Sequence, residues 1–417
     1  MNNRSVLLSG APKKLEGSIR LPGSKSESNR ALILKAQSKG RLKITNLSEA
    51  EDTACLEKLL GIIESYTPGS EPLVLDVGPA GTVMRFLTAY LTTREGDYIL
   101  TGSPRMLERP IQVLVEALQN LGADIRYLGK EGFPPIQIKG GKWKENHIQI
   151  PANISSQYIS ALLLIAPSNP EGLEVEMVGE LTSAPYVYMT LSMMEQVGIT
   201  IETRKNGWFI PGQPIKESVL DIEPDWSGAS YWYSLACLVG EAYLELPGLK
   251  EKSLQADRQI VEIMENFGIR TQFQDGGILL RTGYQTHIPK TLDFKTCPDI
   301  AQTLIAMAAG MKLHMEFTGL ETLKIKETDR VEALKTELAK IGANILSTGS
   351  TAILDAHMIH FPEKIEFNTY HDHRMAMALA PLVSRISIVE IENKNVTQKS
   401  YPGFWSDLEI TGIKINS

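Results

Sequence analysis

The chain has 417 residues, with 42 basic and 49 acidic side chains and a formal net charge of −7, so a strongly basic nucleic-acid surface is not expected. Its 43% hydrophobic and 22% charged content suits a globular protein of two or three domains and excludes a disordered one. Cys55, Cys237 and Cys297 form no CxxC pair, and neither a signal-peptide core nor an 18-residue apolar run is present, so the expectation is a cytoplasmic protein without a disulfide framework, thiolate metal site or membrane span.

In chain order, the first informative stretch is "LPGSKSESNRAL", Leu21 to Leu32. Gly23, Ser24, Lys25, Ser26 and Arg30 precede an apolar helix, the composition of an anion site at a helix N-terminus; a capping serine with solvated cations is the other reading. "CLEKLLGIIES" predicts a helix turning at Gly61. A second buried helix starts near Gly78 in "GPAGTVMRFLTAYL". "TGSPRMLERP" then supplies Arg105 and Arg109, with Pro110 opening the next helix, a position that suits proline. "NISSQYISAL" offers Ser155, Ser156 and Gln157, either as an ordinary cap or as phosphate ligands, and Ser183 and Tyr186 follow in "GELTSAPYVYM".

The second half continues the alternation. Asp225 opens "DWSGASYWYSLACLVG", and Asp299 opens "PDIAQTLIAMAAG"; each aspartate suits a cap or a ligand. "KIKETDR" carries Lys326, Glu327 and Arg330. Glu327 could be a surface ion-pair partner, or an acid/base group if partly desolvated near anions. "HDHRMAMALAPL" contains His371 and His373, but that spacing lacks a third ligand and no metal site is expected; Arg374 beside them fits anion recognition better. "GPAGT" completes neither a P-loop nor a dinucleotide fingerprint, so no cofactor is expected.

Two kinds of segment recur. Amphipathic helices end at Gly122, Gly198, Gly268 and Gly342, at intervals of 76, 70 and 74 residues, each followed by an alternating strand. Six Ala/Leu-rich, low-charge helices start near Ser24, Gly78, Ser155, Asp225, Pro298 and His371. Six α/β units of roughly 70 residues follow from this pattern, either closed in one ring or split three and three. Lys25, Arg30, Arg85, Arg109, Lys326, Arg330, Arg374 and Lys399 all fall near element ends, which predicts a site for small polyanions.

The stretches "LPGSKSESNRAL", "AGTVMR", "LTGSPRMLERPI", "SSQYISALLL", "PDIAQTLIAMAA", "KIKETDRVEALKTEL", "DHRMAMALA" and "KSYPGFW", in this order from residue 21 to 405, closely resemble the 5-enolpyruvylshikimate-3-phosphate synthases, members of the enolpyruvyl transferase family. The resemblance implies a two-domain inside-out α/β barrel of six repeated units, with buried parallel helices and outer mixed sheets. Residues 1–23 with 224–417 would form one domain and 24–223 the other, with substrates in the cleft between them.

It also implies transfer of the carboxyvinyl group of phosphoenolpyruvate to the 5-hydroxyl of shikimate 3-phosphate, with release of phosphate and no cofactor or metal. Lys25, Ser26, Arg30, Ser155, Ser156, Gln157, Ser183, Tyr186, Asp299 and Lys326 would bind shikimate 3-phosphate. Lys25, Gly81, Arg109, Gln157, Arg330, Arg374 and Lys399 would surround phosphoenolpyruvate, where glyphosate binding is implied as well. Asp299 would be the base at the hydroxyl, Glu327 the proton donor and acceptor at the methylene carbon, and Lys25 a further proton-moving group. A monomer without nucleic-acid or membrane partners is expected. Pro79, Phe86, Thr322 and Glu27 depart from the family pattern. The runner-up is an enolpyruvyl transferase acting on uridine diphosphate N-acetylglucosamine, followed by a noncatalytic polyanion-binding relative.

Overall fold

The computed structural model describes residues 5–153, 155–179, 181, 183–285 and 287–416. Its chain divides into two compact units, Gly23–Ile222 and Met1–Pro22 with Glu223–Ser417. Each is an α/β assembly with apolar helices inside and sheets outside, the inside-out barrel arrangement.

The six low-charge segments form the helices Lys25–Gln37, Gly81–Thr92, Ser156–Ile165, Trp226–Val239, Ala301–Gly310 and His373–Leu379. Segments apolar on every face, such as "WSGASYWYSLACLV", become stable helices only by being surrounded, and every residue from Trp226 to Leu238 is buried. The polar residues remain at the N-terminal ends. Ser24, Ser155, Asp225 and Asp372 each accept a backbone N–H of the helix they cap, worth about 1 kcal/mol apiece. Within the first unit the helices Lys25–Gln37, Gly81–Thr92 and Ser156–Ile165 pack on one another; within the second, Ala301–Gly310 packs on both Trp226–Val239 and His373–Leu379.

The sheets repeat as well. Among the described residues the second unit has three four-stranded sheets, and the first has two four-stranded sheets and one two-stranded sheet, Ser218–Asp221 parallel to Leu42–Thr45. Several strands show one buried and one exposed face: His147–Pro151 alternates residue by residue, as period-two geometry requires. Gly122, Gly198, Gly268 and Gly342 all take φ between 80° and 96°, the left-handed conformation that ends a helix at little cost in glycine.

One expectation about the repeat needs correction. Gly61 does not turn the chain: the helix runs uninterrupted over Glu51–Ser65, because Ile63 continues the buried row of Leu56, Leu59 and Leu60 beyond it. A further Gly-ended copy lies instead at Gly412, with φ 94°, between the helix Phe404–Ile410 and the strand Lys414–Asn416. That helix has only seven residues, shorter than the stretch of about 11–18 residues over which an apolar repeat is read.

Candidate active site

In the Gly23–Ile222 unit the candidate residues gather around Arg30. Its guanidinium donates from Nε to Thr190 Oγ1 at 2.7 Å, from Nη1 to the Ser26 carbonyl at 2.8 Å, and from Nη2 to Ser160 Oγ at 3.2 Å and the Tyr186 carbonyl at 3.1 Å. One buried cation thereby ties the Lys25 turn to the helix that Ser155 caps and to the helix Ala184–Gln196, which carries Tyr186. Burial lowers its pKa to about 10, still far above neutrality. Phe86 lies under the guanidinium at 5.6 Å, a cation–π contact that gives this departure from the family pattern a packing role. Glu27 is buried rather than solvent-facing.

Lys25 Nζ is 3.2 Å from Asp52 Oδ2. Ser155 Oγ accepts from the Gln157 N–H at 3.4 Å, and Gln157 Nε2 donates to Thr82 Oγ1 at 3.0 Å, beside Gly81. A Cβ on Gly81 would meet Arg85 Nη1 at 2.6 Å and Arg109 Nη1 at 2.7 Å. Two cations therefore close over this helix N-terminus because the residue there has no side chain. Ser156 is buried. Ser183 stands just before Ala184–Gln196 with φ 54°, an uncommon backbone state for a non-glycine residue.

In the other unit the cluster is denser. Arg330, only 2% exposed, donates from Nε to Asp372 Oδ2 at 2.7 Å, from Nη2 to Glu327 Oε2 at 3.0 Å, and from Nη1 toward Asp299 Oδ1 at 3.5 Å. Burial opposes its charge, yet Asp372 and Glu327, with Asp299, outweigh that and raise its pKa above the usual arginine value. Arg374 Nη2 is 3.0 Å from Asp299 Oδ2, while its Nη1 donates to the Asp299 carbonyl at 2.9 Å. Lys399 Nζ meets Glu327 Oε1 at 2.8 Å, and Lys326 Nζ lies 3.9 Å from Asp299 Oδ1. Desolvation lowers the Lys326 pKa, with Asp299 acting in the opposite sense.

Asp372, between His371 and His373, serves as the carboxylate partner of Arg330. Sequence reasoning missed Asp257. This buried residue on the turn Ala256–Gln259 accepts a hydrogen bond from Ser227 Oγ, and the same Ser227 oxygen accepts from Arg374 Nη2 at 3.3 Å. Burial, then the neighbouring Asp299 charge, push the Asp257 carboxyl up to about 7. Its Oδ1 has no hydrogen-bond partner among the described residues, nor does Thr322 Oγ1. A lone aspartate in "LQADRQ" carries no motif; only its helical-turn placement against Ser227 distinguishes it.

Repeated α/β units that set arginines and lysines beside carboxylates near their helix entrances are an arrangement suited to acid–base chemistry on small anions. More particularly, the chain belongs to the EPSP synthase (3-phosphoshikimate 1-carboxyvinyltransferase) family, whose model matches residues 10–408. It is 43% identical over 411 residues to the 3-phosphoshikimate 1-carboxyvinyltransferase of Bacteroides fragilis strain YCH46, covering 98% of each chain. It is 35% identical over 416 residues to that of Sulfurovum sp. strain NBC37-1, covering 95% of this chain and 96% of the relative. Among solved structures, an EPSP synthase from Acinetobacter baumannii shares the fold at TM-score 0.77 and 20% identity, covering 99% of this chain and all of that one. The enolpyruvyl transferase NikO from Streptomyces tendae shares it at TM-score 0.75 and 15% identity, covering 99% of each. No helix among the described residues is long and apolar enough to cross a membrane.

Proposed function

We propose that this chain transfers the carboxyvinyl group of phosphoenolpyruvate to the 5-hydroxyl of shikimate 3-phosphate and releases phosphate, on the way to chorismate and the aromatic amino acids. The observation that carries the reading is the meeting of Asp299, Glu327, Arg330, Arg374 and Lys399, from four segments of the chain, in one largely buried cluster where two half-buried carboxylates sit within 4 Å of four cations including Lys326. Family membership supplies the substrates.

In this reading Arg109, Arg330, Arg374 and Lys399 hold the phosphate and carboxylate of phosphoenolpyruvate, with Gly81 leaving room beside them. Ser155, Ser156 and Ser183 hold the phosphate of shikimate 3-phosphate, assisted by Lys326. Ser26, Arg30, Gln157 and Tyr186 orient its ring, and Lys25 touches both molecules.

The chemistry then follows from charge. Glu327, in contact with the Lys399 ammonium, gives a proton to the methylene carbon, creating cation-like character at the adjacent carbon. Asp299 takes the proton of the 5-hydroxyl as its oxygen attacks there. The resulting tetrahedral adduct collapses when Glu327 removes a proton from the new methyl group and phosphate departs with the proton that Asp299 took from the hydroxyl, restoring the double bond and returning both carboxyl groups to their starting states. Fixed cations stabilise the developing charges without reorganising, and orientation of the two substrates supplies much of the remaining acceleration. The enzyme works as a cytoplasmic monomer with no cofactor in the reaction, and glyphosate competes for the phosphoenolpyruvate positions.

The test is phosphate release by the purified protein with phosphoenolpyruvate and each acceptor in turn. Turnover with shikimate 3-phosphate alone supports the reading; turnover only with uridine diphosphate N-acetylglucosamine, or binding of both without product, overturns it. Glu327→Gln should bind both substrates yet lose about 10²–10⁴-fold in turnover, the range for removal of a general acid–base, together with methylene hydrogen exchange from solvent.

A further inference from the structure

Away from the proposed active site, three ligand-type atoms converge at one end of the sheet formed by strands Thr291–Asp293, Met315–Thr318, Thr351–Asp355 and Asn344–Thr348. His314 immediately precedes the strand Met315–Thr318. Asp355 ends Thr351–Asp355, which runs antiparallel to it with Met315 opposite Leu354, so the register carries His314 and Asp355 to the same sheet end. His357 follows two residues on, in a turn closed by its own N–H donating to Asp355 Oδ1 at 3.0 Å, an aspartate-turn geometry.

His314 Nε2 lies 2.7 Å from His357 Nδ1 and 3.3 Å from Asp355 Oδ1, and His357 Nδ1 lies 2.9 Å from that same oxygen. Two imidazole nitrogens that close cannot both present lone pairs to one another; a proton or a cation must satisfy them. A circle through the three atoms has a radius of about 1.7 Å, so an ion at the usual 2.0–2.1 Å from each would stand about 1.1 Å off their plane. That is close to the spacing of three facial positions around an octahedral ion and tighter than a tetrahedral face.

We propose that His314, Asp355 and His357 form a binding site for a borderline divalent transition ion of the Zn²⁺ class, with solvent on its outer face. Two imidazoles and one carboxylate select such an ion over Mg²⁺ or Ca²⁺, which take oxygen ligands. The role is structural: the ion clamps the His314 end of the Met315–Thr318 strand to its neighbour, while Lys326 and Glu327 follow from the other end of that strand. The site takes no part in transfer chemistry and does not rest on it. Sequence reading passed over it because the two histidines stand 43 residues apart and acquire a shared corner only through strand pairing.

The experiment is calorimetric titration of Zn²⁺ into chelator-treated full-length protein, with Co²⁺ absorption as a probe of coordination. His314 and His357 are 47% and 77% exposed in their side chains, so alanine there leaves the core intact. Wild type should show one saturable site that also raises the melting temperature, by linkage of binding to folding. His314→Ala and His357→Ala should each weaken binding at least about tenfold, the smallest loss typical even for outer-shell partners, and abolish the thermal shift while turnover without added metal stays unchanged. Absence of saturable binding to wild type, or equal binding and thermal shift in the double variant, overturns the proposal.

Discussion

Asp257 should make the second unit less stable as pH rises toward neutrality. Its carboxyl is pushed up to about 7 by burial and by Asp299, against 3.8 for an exposed aspartate. Below about pH 4 it is neutral in both states; between about 4 and 7 the unfolded chain releases its proton while the folded chain keeps it. The unfolded state therefore binds fewer protons in that window, and stability falls with pH until the folded form ionises as well. At 1.36 kcal/mol per unit, the cost of a shift of this size approaches about 4 kcal/mol above pH 7, of which about 2–3 kcal/mol develops between pH 5 and 8. Asp257→Asn keeps the shape and cannot ionise. Urea unfolding of both proteins at pH 5, 6, 7 and 8 should show a gap in stability that changes in the variant's favour by that amount as pH rises. Parallel stability curves would refute the reasoning, because a hydrogen bond weakened by the amide would shift every pH point alike.

Gly81→Ala should raise KM for phosphoenolpyruvate by about tenfold or more while moving KM for shikimate 3-phosphate much less, since the added methyl displaces Arg85 and Arg109 together and a misplaced clamp costs about 1.4 kcal/mol per tenfold; steady-state kinetics with each substrate varied will show it. Arg330→Ala should destabilise the protein by about 3–5 kcal/mol, because it strands the fully buried Asp372 carboxylate, and a lowered urea midpoint with unchanged slope is the expected signature.

Much of the architecture was legible because it is repetitive. Low-charge helices beginning at Ser24, Ser155 or Asp225 announce themselves by composition, and the glycine ends at Gly122 or Gly342 reflect a conformation that other residues adopt only with strain. Gly61 shows the limit of that rule, since glycine permits a left-handed turn without compelling one when apolar residues beyond it can still be buried. The candidate site was legible where several charges share a motif, as in "KETDR". Arg30 illustrates what a motif conceals: its position is readable, but not that most of its donors are engaged by Ser26, Ser160, Tyr186 and Thr190. Asp257 and the His314–Asp355–His357 corner depend on contacts between distant segments, for which a single sequence carries no local signal.

The strand Val6–Ser9 lies between Ile388–Ile391 and Lys414–Asn416, antiparallel to both. A ribosome therefore delivers Val6–Ser9 long before either of its neighbours, while Gly23–Ile222 is an uninterrupted stretch available in full before those two strands. The inserted unit can finish folding during synthesis, whereas the flanking unit must wait with an orphaned edge until Ile388–Ile391 and Lys414–Asn416 emerge. Deleting the strand Lys414–Asn416 should accordingly harm the maturation of one half of the molecule and spare the other.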